Sequence, residues 1–222
     1  MKPIIGLLLA LLWALPAQAA DPVYEVEMIV FAHTFDPASN GGEDASLSTH
    51  RPALDSGFSL DMLGGLPLDN LQLGNTVARL KADPGYQVLL HQAWRQPVGT
   101  SANAPWLRVT AGSIQSEGES LPELDGLVRL YRAPYLFMET DLLLRRMGIS
   151  KKGAGVIKPL NSESQYAGST PNSDAQTPTT ATATPVLKET PFLGSNRLME
   201  GQLVYFDGPV LSVLVQAKPI KG

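Results

Sequence analysis

LDGLVRLYRAPYLFMETDLLLR, residues 124–145, reads as two strands and the turn between them. Residues 124–132 form the first strand, Ala133-Pro134 supplies a tight connection, and residues 135–145 return antiparallel. In the second run Leu136, Met138, Leu142 and Leu144 share one face, while Tyr135, Phe137, Glu139 and Asp141 share the other. That period of two marks a strand with one buried side. In the first run Arg129 and Tyr131 alternate onto one face and Leu130 and Arg132 onto the other, so alternation alone leaves its sidedness open.

Upstream of the hairpin, residues 86–96 (YQVLLHQAWRQ) and 106–110 (WLRVT) read as further strands. The first strand of the chain, residues 24–31 (YEVEMIVF), alternates at its start and becomes apolar on both faces at Ile29, Val30 and Phe31, as a central strand does. Residues 36–52 are polar and rich in Gly, Ser, Asp and Asn, the composition of a surface loop. Asp69 and Asn70 suit a helix N-cap, Leu73, Val77 and Leu80 recur on one helical face, and Asp83-Pro84-Gly85 stops the helix.

Downstream, residues 151–192 are dominated by Ser, Thr, Ala and Pro. A stretch with so little to bury cannot offset its ordering entropy, and a long disordered loop is expected there. Residues 197–206 and 210–218, joined by the turn Asp207-Gly208-Pro209, close the chain as a hairpin. Two strands alone are marginal, so this hairpin must complete the sheet begun earlier. The expectation is an α+β domain: a mostly antiparallel sheet of about six or seven strands, with one or two helices packed on one face.

The first nineteen residues have a different purpose. Lys2 precedes an apolar run, residues 4–15 (IIGLLLALLWAL), then Pro16 and the small-x-small pattern Ala17-Gln18-Ala19. This is the order of a secretory signal peptide, with cleavage expected after about Ala19. The run is too short to span a bilayer, which needs ~20 apolar residues, and no second long apolar stretch follows. Residues 20–222 are then a single exported domain, periplasmic in a Gram-negative-type cell. With no cysteine the chain has no disulfide, thiol nucleophile, thiolate metal site or lipoprotein anchor. A net charge of −4, more negative once Lys2 is removed, argues against nucleic acid as a partner.

Catalytic constellations are missing from the sequence. The three histidines, His33, His50 and His91, have no metal-ligand spacing, and no nucleophile elbow, Walker motif or dinucleotide fingerprint occurs. No cofactor or metal is expected, and the reading is of a non-enzyme. Glu139 and Asp141, about 7 Å apart along one strand face, fall formally within the range of glycosidase carboxylates. Beside Arg132 and Arg145 they read better as a charge-paired face. Arginine with aromatic residues is the remaining pattern. Arg129, Tyr131, Arg132, Tyr135 and Phe137 gather at the hairpin corner, and Trp94, Arg95, Trp106 and Arg108 lie on the preceding strands. Rings can stack on sugar faces and guanidinium can clasp carboxylates; composition alone favours the plainer reading of the aromatics as core and the arginines as rim charges.

Four segments resemble the CsiV family: residues 23–31 (VYEVEMIVF), 85–97 (GYQVLLHQAWRQP), the central hairpin within 124–142, and 197–216 around RLMEGQLVYFDGP. Two departures stand out. The family's last turn commonly reads Asp-His-Pro, where this chain has Gly208, and the Thr/Ala/Pro stretch has no counterpart. The resemblance implies a periplasmic protein that binds peptidoglycan. It implies support of wall synthesis by a class A penicillin-binding protein, together with that enzyme's outer-membrane lipoprotein activator. Two other functions stay open: a protein–protein adaptor without glycan affinity, and a carboxylate-dependent wall hydrolase.

Overall fold

A strand apolar on both faces needs a covering layer on each side. The computed structural model, which describes residues 21–34, 57–59, 71–150 and 184–220, gives β1 (Val23–His33) both. The other elements in chain order are β2 (Phe58–Ser59), α1 (Gly74–Ala82), β3 (Tyr86–Pro97), β4 (Leu107–Ala111), β5 (Ile114–Ser116), β6 (Glu119–Leu121), β7 (Leu124–Ala133), β8 (Tyr135–Ser150), β9 (Thr184–Leu198), β10 (Leu203–Phe206) and β11 (Leu211–Pro219). The leader expected at 1–19, the polar stretch at 36–52, Asp69, Asn70 and positions 151–183 lie outside the described residues.

The single sheet expected from the sequence is instead two. One has the order β10-β11-β1-β3 and the other β2-β4-β7-β8-β9, with β5 and β6 as a small separate hairpin. All pairings are antiparallel except the short contact of β2 with β4. The two sheets share one core. Tyr24, Val26, Met28 and Val30 of β1 join Val128 and Leu130 of β7 and Met138, Leu142 and Leu144 of β8 in it. The reason is one of size. A nine-residue helix is roughly 14 Å long, while seven strands side by side span roughly 29 Å. One such helix cannot cover that sheet. Two sheets face to face bury both apolar rows, at about 1.5–3 kcal/mol for each large side chain fully removed from water.

The helix covers the other side of β1. Leu73 and Val77 pack on Ile29 and Phe31, with Leu80, Val88 and Leu214 at the margin. The periodicity read from Leu73, Val77 and Leu80 is therefore the buried stripe of α1. Its N-terminus has no local side-chain cap. Glu27 of β1 does that work from a distance. Its carboxylate accepts the backbone N–H groups of Gln72 and Leu73, both at 2.8 Å, and stands 2.9 Å from His91 Nε2. A buried carboxylate suits the positive end of the helix, and the contact ties α1 to β1 and β3.

Three boundaries also differ from the expectation. β8 runs on past Arg145 to Ser150, and β9 begins at Thr184, inside the stretch expected to be a disordered loop. Pairing with β8 from Thr184↔Ser150 to Leu198↔Leu136 orders this segment through main-chain bonds, which need no apolar side chains. The strand expected at 197–206 is broken at residues 199–202, where Gly201 adopts φ +75° and the chain turns into β10.

Gly208, the departure in the final turn, has a packing reason. A Cβ there would lie 2.5 Å from the Leu211 carbonyl oxygen and 2.7 Å from the Phe192 ring. Phe192 is itself buried in the core, so the space that a larger residue needs is already filled. Gly208→His is expected to destabilise the chain by about 1–3 kcal/mol, read as a lowered urea midpoint with unchanged slope. An unchanged midpoint would show that the turn can open without loss.

Candidate functional site

On the outer face of the five-stranded sheet, alternation brings forward Asp125, Leu127, Arg129 and Tyr131 of β7 and Phe137, Glu139, Asp141, Leu143 and Arg145 of β8. Two belts cross this face. The first is ionic. Arg108 of β4 donates to both carboxylate oxygens of Asp125, at 3.2 and 3.3 Å. Arg145 reaches Asp125 at 3.3 Å and Glu189 of β9 at 3.0 Å. Asp125 and Arg145 are both buried, and Arg145 also donates to the Pro122 carbonyl. This belt stitches four strands together and has little surface to offer a ligand.

The second belt is aromatic and half-exposed. Trp106 stands just before β4, and the Arg129 guanidinium lies 4.6 Å from the centre of its ring and 5.2 Å from that of Tyr131. Tyr131 stacks on Phe137 across the β7–β8 pair, centroids 5.6 Å apart and planes 16° from parallel. Phe137 is the cross-strand partner of Arg197 on β9, whose guanidinium sits 3.4 Å from the centre of the Tyr135 ring. From β4 to β9 the belt spans three strand spacings, roughly 14 Å.

Glu139 organises the middle of the belt. Arg129 donates to its Oε2 through Nε at 3.1 Å and through Nη2, and the Tyr131 hydroxyl donates to Oε1 at 2.9 Å. Partial burial, and after it the bond to Glu139, raise the Tyr131 phenol above its ordinary pKa. Both Glu139 oxygens are thus engaged, and the Arg129 charge is answered. Arg129 is a spacer between rings rather than a free clamp. Glu139 and Arg129 pair with each other, not in the Arg132 arrangement that the sequence suggested.

The other residues singled out in the sequence are scattered. Trp94 is 1% exposed between the two sheets, its Nε1 donating to Gln96 Oε1 at 2.6 Å. It is core and cannot meet a ligand unless the sheets part. Arg95 lies on the other sheet, paired with Glu25 at 3.0 Å. Arg108 belongs to the ionic belt. Arg132 points the opposite way from Arg129 and pairs with Glu200 at 3.1 Å. Of the nine residues, the structure joins Trp106, Arg129, Tyr131, Tyr135 and Phe137. It adds Glu139 as the organiser and Arg197, which only the β8–β9 register could have revealed. Among the described residues no group of three or more His, Asp or Glu could hold a metal ion, and no helix is long and apolar enough to cross a membrane.

Glu200 also accepts the hydroxyl of buried Tyr24. Burial first, and then this bond, push the Tyr24 pKa from 10.0 to about 12. A folded-state value above the unfolded one means the stabilisation is complete below pH 10 and is lost as pH rises toward 12. Unfolding midpoints should fall across that window, and less so in Tyr24→Phe. A decline equal in both proteins would remove Tyr24 from the account.

No curated protein sequence and no solved structure gives a significant match to this chain. A family model described as "Peptidoglycan-binding protein, CsiV" matches residues 4–220, which include β1, β3, the β7–β8 hairpin and the closing β10–β11 pair. That description names binding and no catalytic activity. With nearly its whole length matched, the chain belongs to the CsiV family of peptidoglycan-binding proteins.

Proposed function

We propose that this chain is a periplasmic wall-binding regulator whose aromatic belt at Trp106, Tyr131 and Phe137 is the contact surface for peptidoglycan. The observation that carries the reading is the row of half-exposed rings held by Arg129 and Glu139 on one sheet face. Rings with fixed orientation lose little entropy when apolar sugar faces settle on them, and the strand framework beneath keeps them in register. The resemblance noted above supplies the partners: a class A penicillin-binding protein and its outer-membrane lipoprotein activator. Wall binding would keep a partner close to the synthase and so raise its effective concentration there. Family membership supports an extracytoplasmic site of action, and the leader at 1–19 supports export.

The test is binding of purified glycan strands to a Trp106→Ala/Tyr131→Ala/Phe137→Ala variant, with Arg95→Ala on the other sheet as control. A loss of at least about tenfold, with the control unchanged and both proteins folded, is expected for ring contacts of about 0.5–1.5 kcal/mol each. Undiminished binding in a folded triple variant would move the site elsewhere.

The adaptor reading has one observation in its favour. β10 is an edge strand with Leu203 and Tyr205 exposed, a shape that a partner strand could extend. Capture of the lipoprotein by a β10 surface, in extract free of wall material, would favour it.

A further inference from the structure

Three arginines on the outer face of the five-stranded sheet have their charges answered nearby: Arg108 and Arg145 by Asp125, and Arg129 by Glu139. Arg197 on the same face differs. Among the described residues its side chain has no carboxylate partner and no hydrogen bond, only the Tyr135 ring beneath its guanidinium. Both residues are exposed, Tyr135 at 49%. A ring face steadies the cation without using its N–H donors.

Arg197 and Tyr135 also form one wall of an open groove of about 320 Å³ at the tip of the β7–β8 hairpin. Arg132, Pro134, Leu136, Leu198, Met199 and Glu200 complete it, and Met199 is 55% exposed. Arg132 is paired with Glu200 there, so the uncompensated positive charge in the groove comes from Arg197. The groove is thus a small cleft with a held cation, an apolar thioether and an aromatic floor, continuous with the belt through Phe137. Its size is at the low end for ligand pockets, enough for the end of a short peptide and not for a folded partner.

We propose that this groove is a second subsite, which reads a carboxylate of the peptide stems of peptidoglycan while the belt holds the glycan. Arg197 receives the carboxylate through its N–H fork, and Tyr135 and Met199 receive the adjoining small apolar side chain. The inference rests on the wall-binding reading above and assigns its peptide selectivity to one residue.

The probes are a purified disaccharide-tetrapeptide from peptidoglycan and the same disaccharide with the peptide removed by an amidase and the lactyl carboxylate so freed capped as its methylamide. Both are titrated into the full mature chain and into Arg197→Gln and Arg197→Lys. The expected result is a preference of the wild type for the peptide-bearing probe of on the order of tenfold, weakened by salt. Arg197→Gln should lose that preference and keep its affinity for the bare disaccharide, while Arg197→Lys should keep part of it. Equal wild-type affinity for both probes, or a preference that survives Arg197→Gln, would overturn the peptide subsite and leave wall binding standing. Failure of the wild type to bind either probe would overturn both.

Discussion

Replacing Gly126 with alanine is expected to destabilise the chain by about 3 kcal/mol or more, at the upper end for overpacking a full core. Gly126 of β7 faces Leu142 of β8 across the ladder. An added Cβ would lie 2.3 Å from the Asp141 carbonyl oxygen and 2.6 Å from the Leu142 Cα. Both contacts are backbone, so no side chain can swing aside. β7 and β8 would have to separate at the centre of the sheet, where Leu142 is fully buried in the core. For a domain of this size the melting temperature should fall by roughly 6–12 °C. A shift below about 2 °C would show that the two strands have slack that the close approach denies.

The ionic belt gives the second large effect. Asp125 is 2% exposed and is shared by Arg108 and Arg145, of which Arg145 is itself buried. Asp125→Leu removes the anion and leaves a buried guanidinium with part of its compensation gone. Removing one member of a buried pair typically costs about 3–5 kcal/mol, because the remaining charge still lacks water. Arg145 keeps Glu189 and the Pro122 carbonyl, which places the expected loss near the lower end. Asp125→Leu combined with Arg145→Met should recover much of the loss, since an apolar pair needs no compensation. Additive losses in the double variant would mean that the two residues act separately.

Both effects concern the frame on which the aromatic belt is built, and the frame was only partly legible beforehand. The return strand of the 124–145 hairpin could be read because its row Leu136, Met138, Leu142 and Leu144 is buried in the core, which forces alternation. β1 could be read as central because Ile29, Val30 and Phe31 leave no polar side. The split into two sheets could not be read, because β1 pairs with β3 and β11, far apart in the chain, and alternation does not name a partner. β9 was hidden because main-chain pairing with β8 orders it despite side chains poor in apolar surface. The helix cap was misplaced because Glu27 lies far from Gln72 in sequence and beside it in space.

The candidate site shows the same limit. Trp94 and Trp106 look alike in composition, yet one is buried between the sheets and the other is half-exposed on an outer face. Arg129 and Glu139 become partners only once the register places them opposite each other. Arg197 joins the belt only through its pairing with Phe137. Residue type and periodicity located the hairpin that carries the candidate site. Register, which depends on contacts between distant strands, decided which of its side chains meet.

Co-sedimentation of the purified mature chain with protein-free sacculi across a salt series decides whether the chain binds the wall directly. Direct binding implies pelleting at low salt that weakens as salt rises, since Arg197 contributes an ionic part, but persists in reduced form because the rings do not depend on charge. No pelleting at low salt would contradict it and leave a protein partner as the target of this surface.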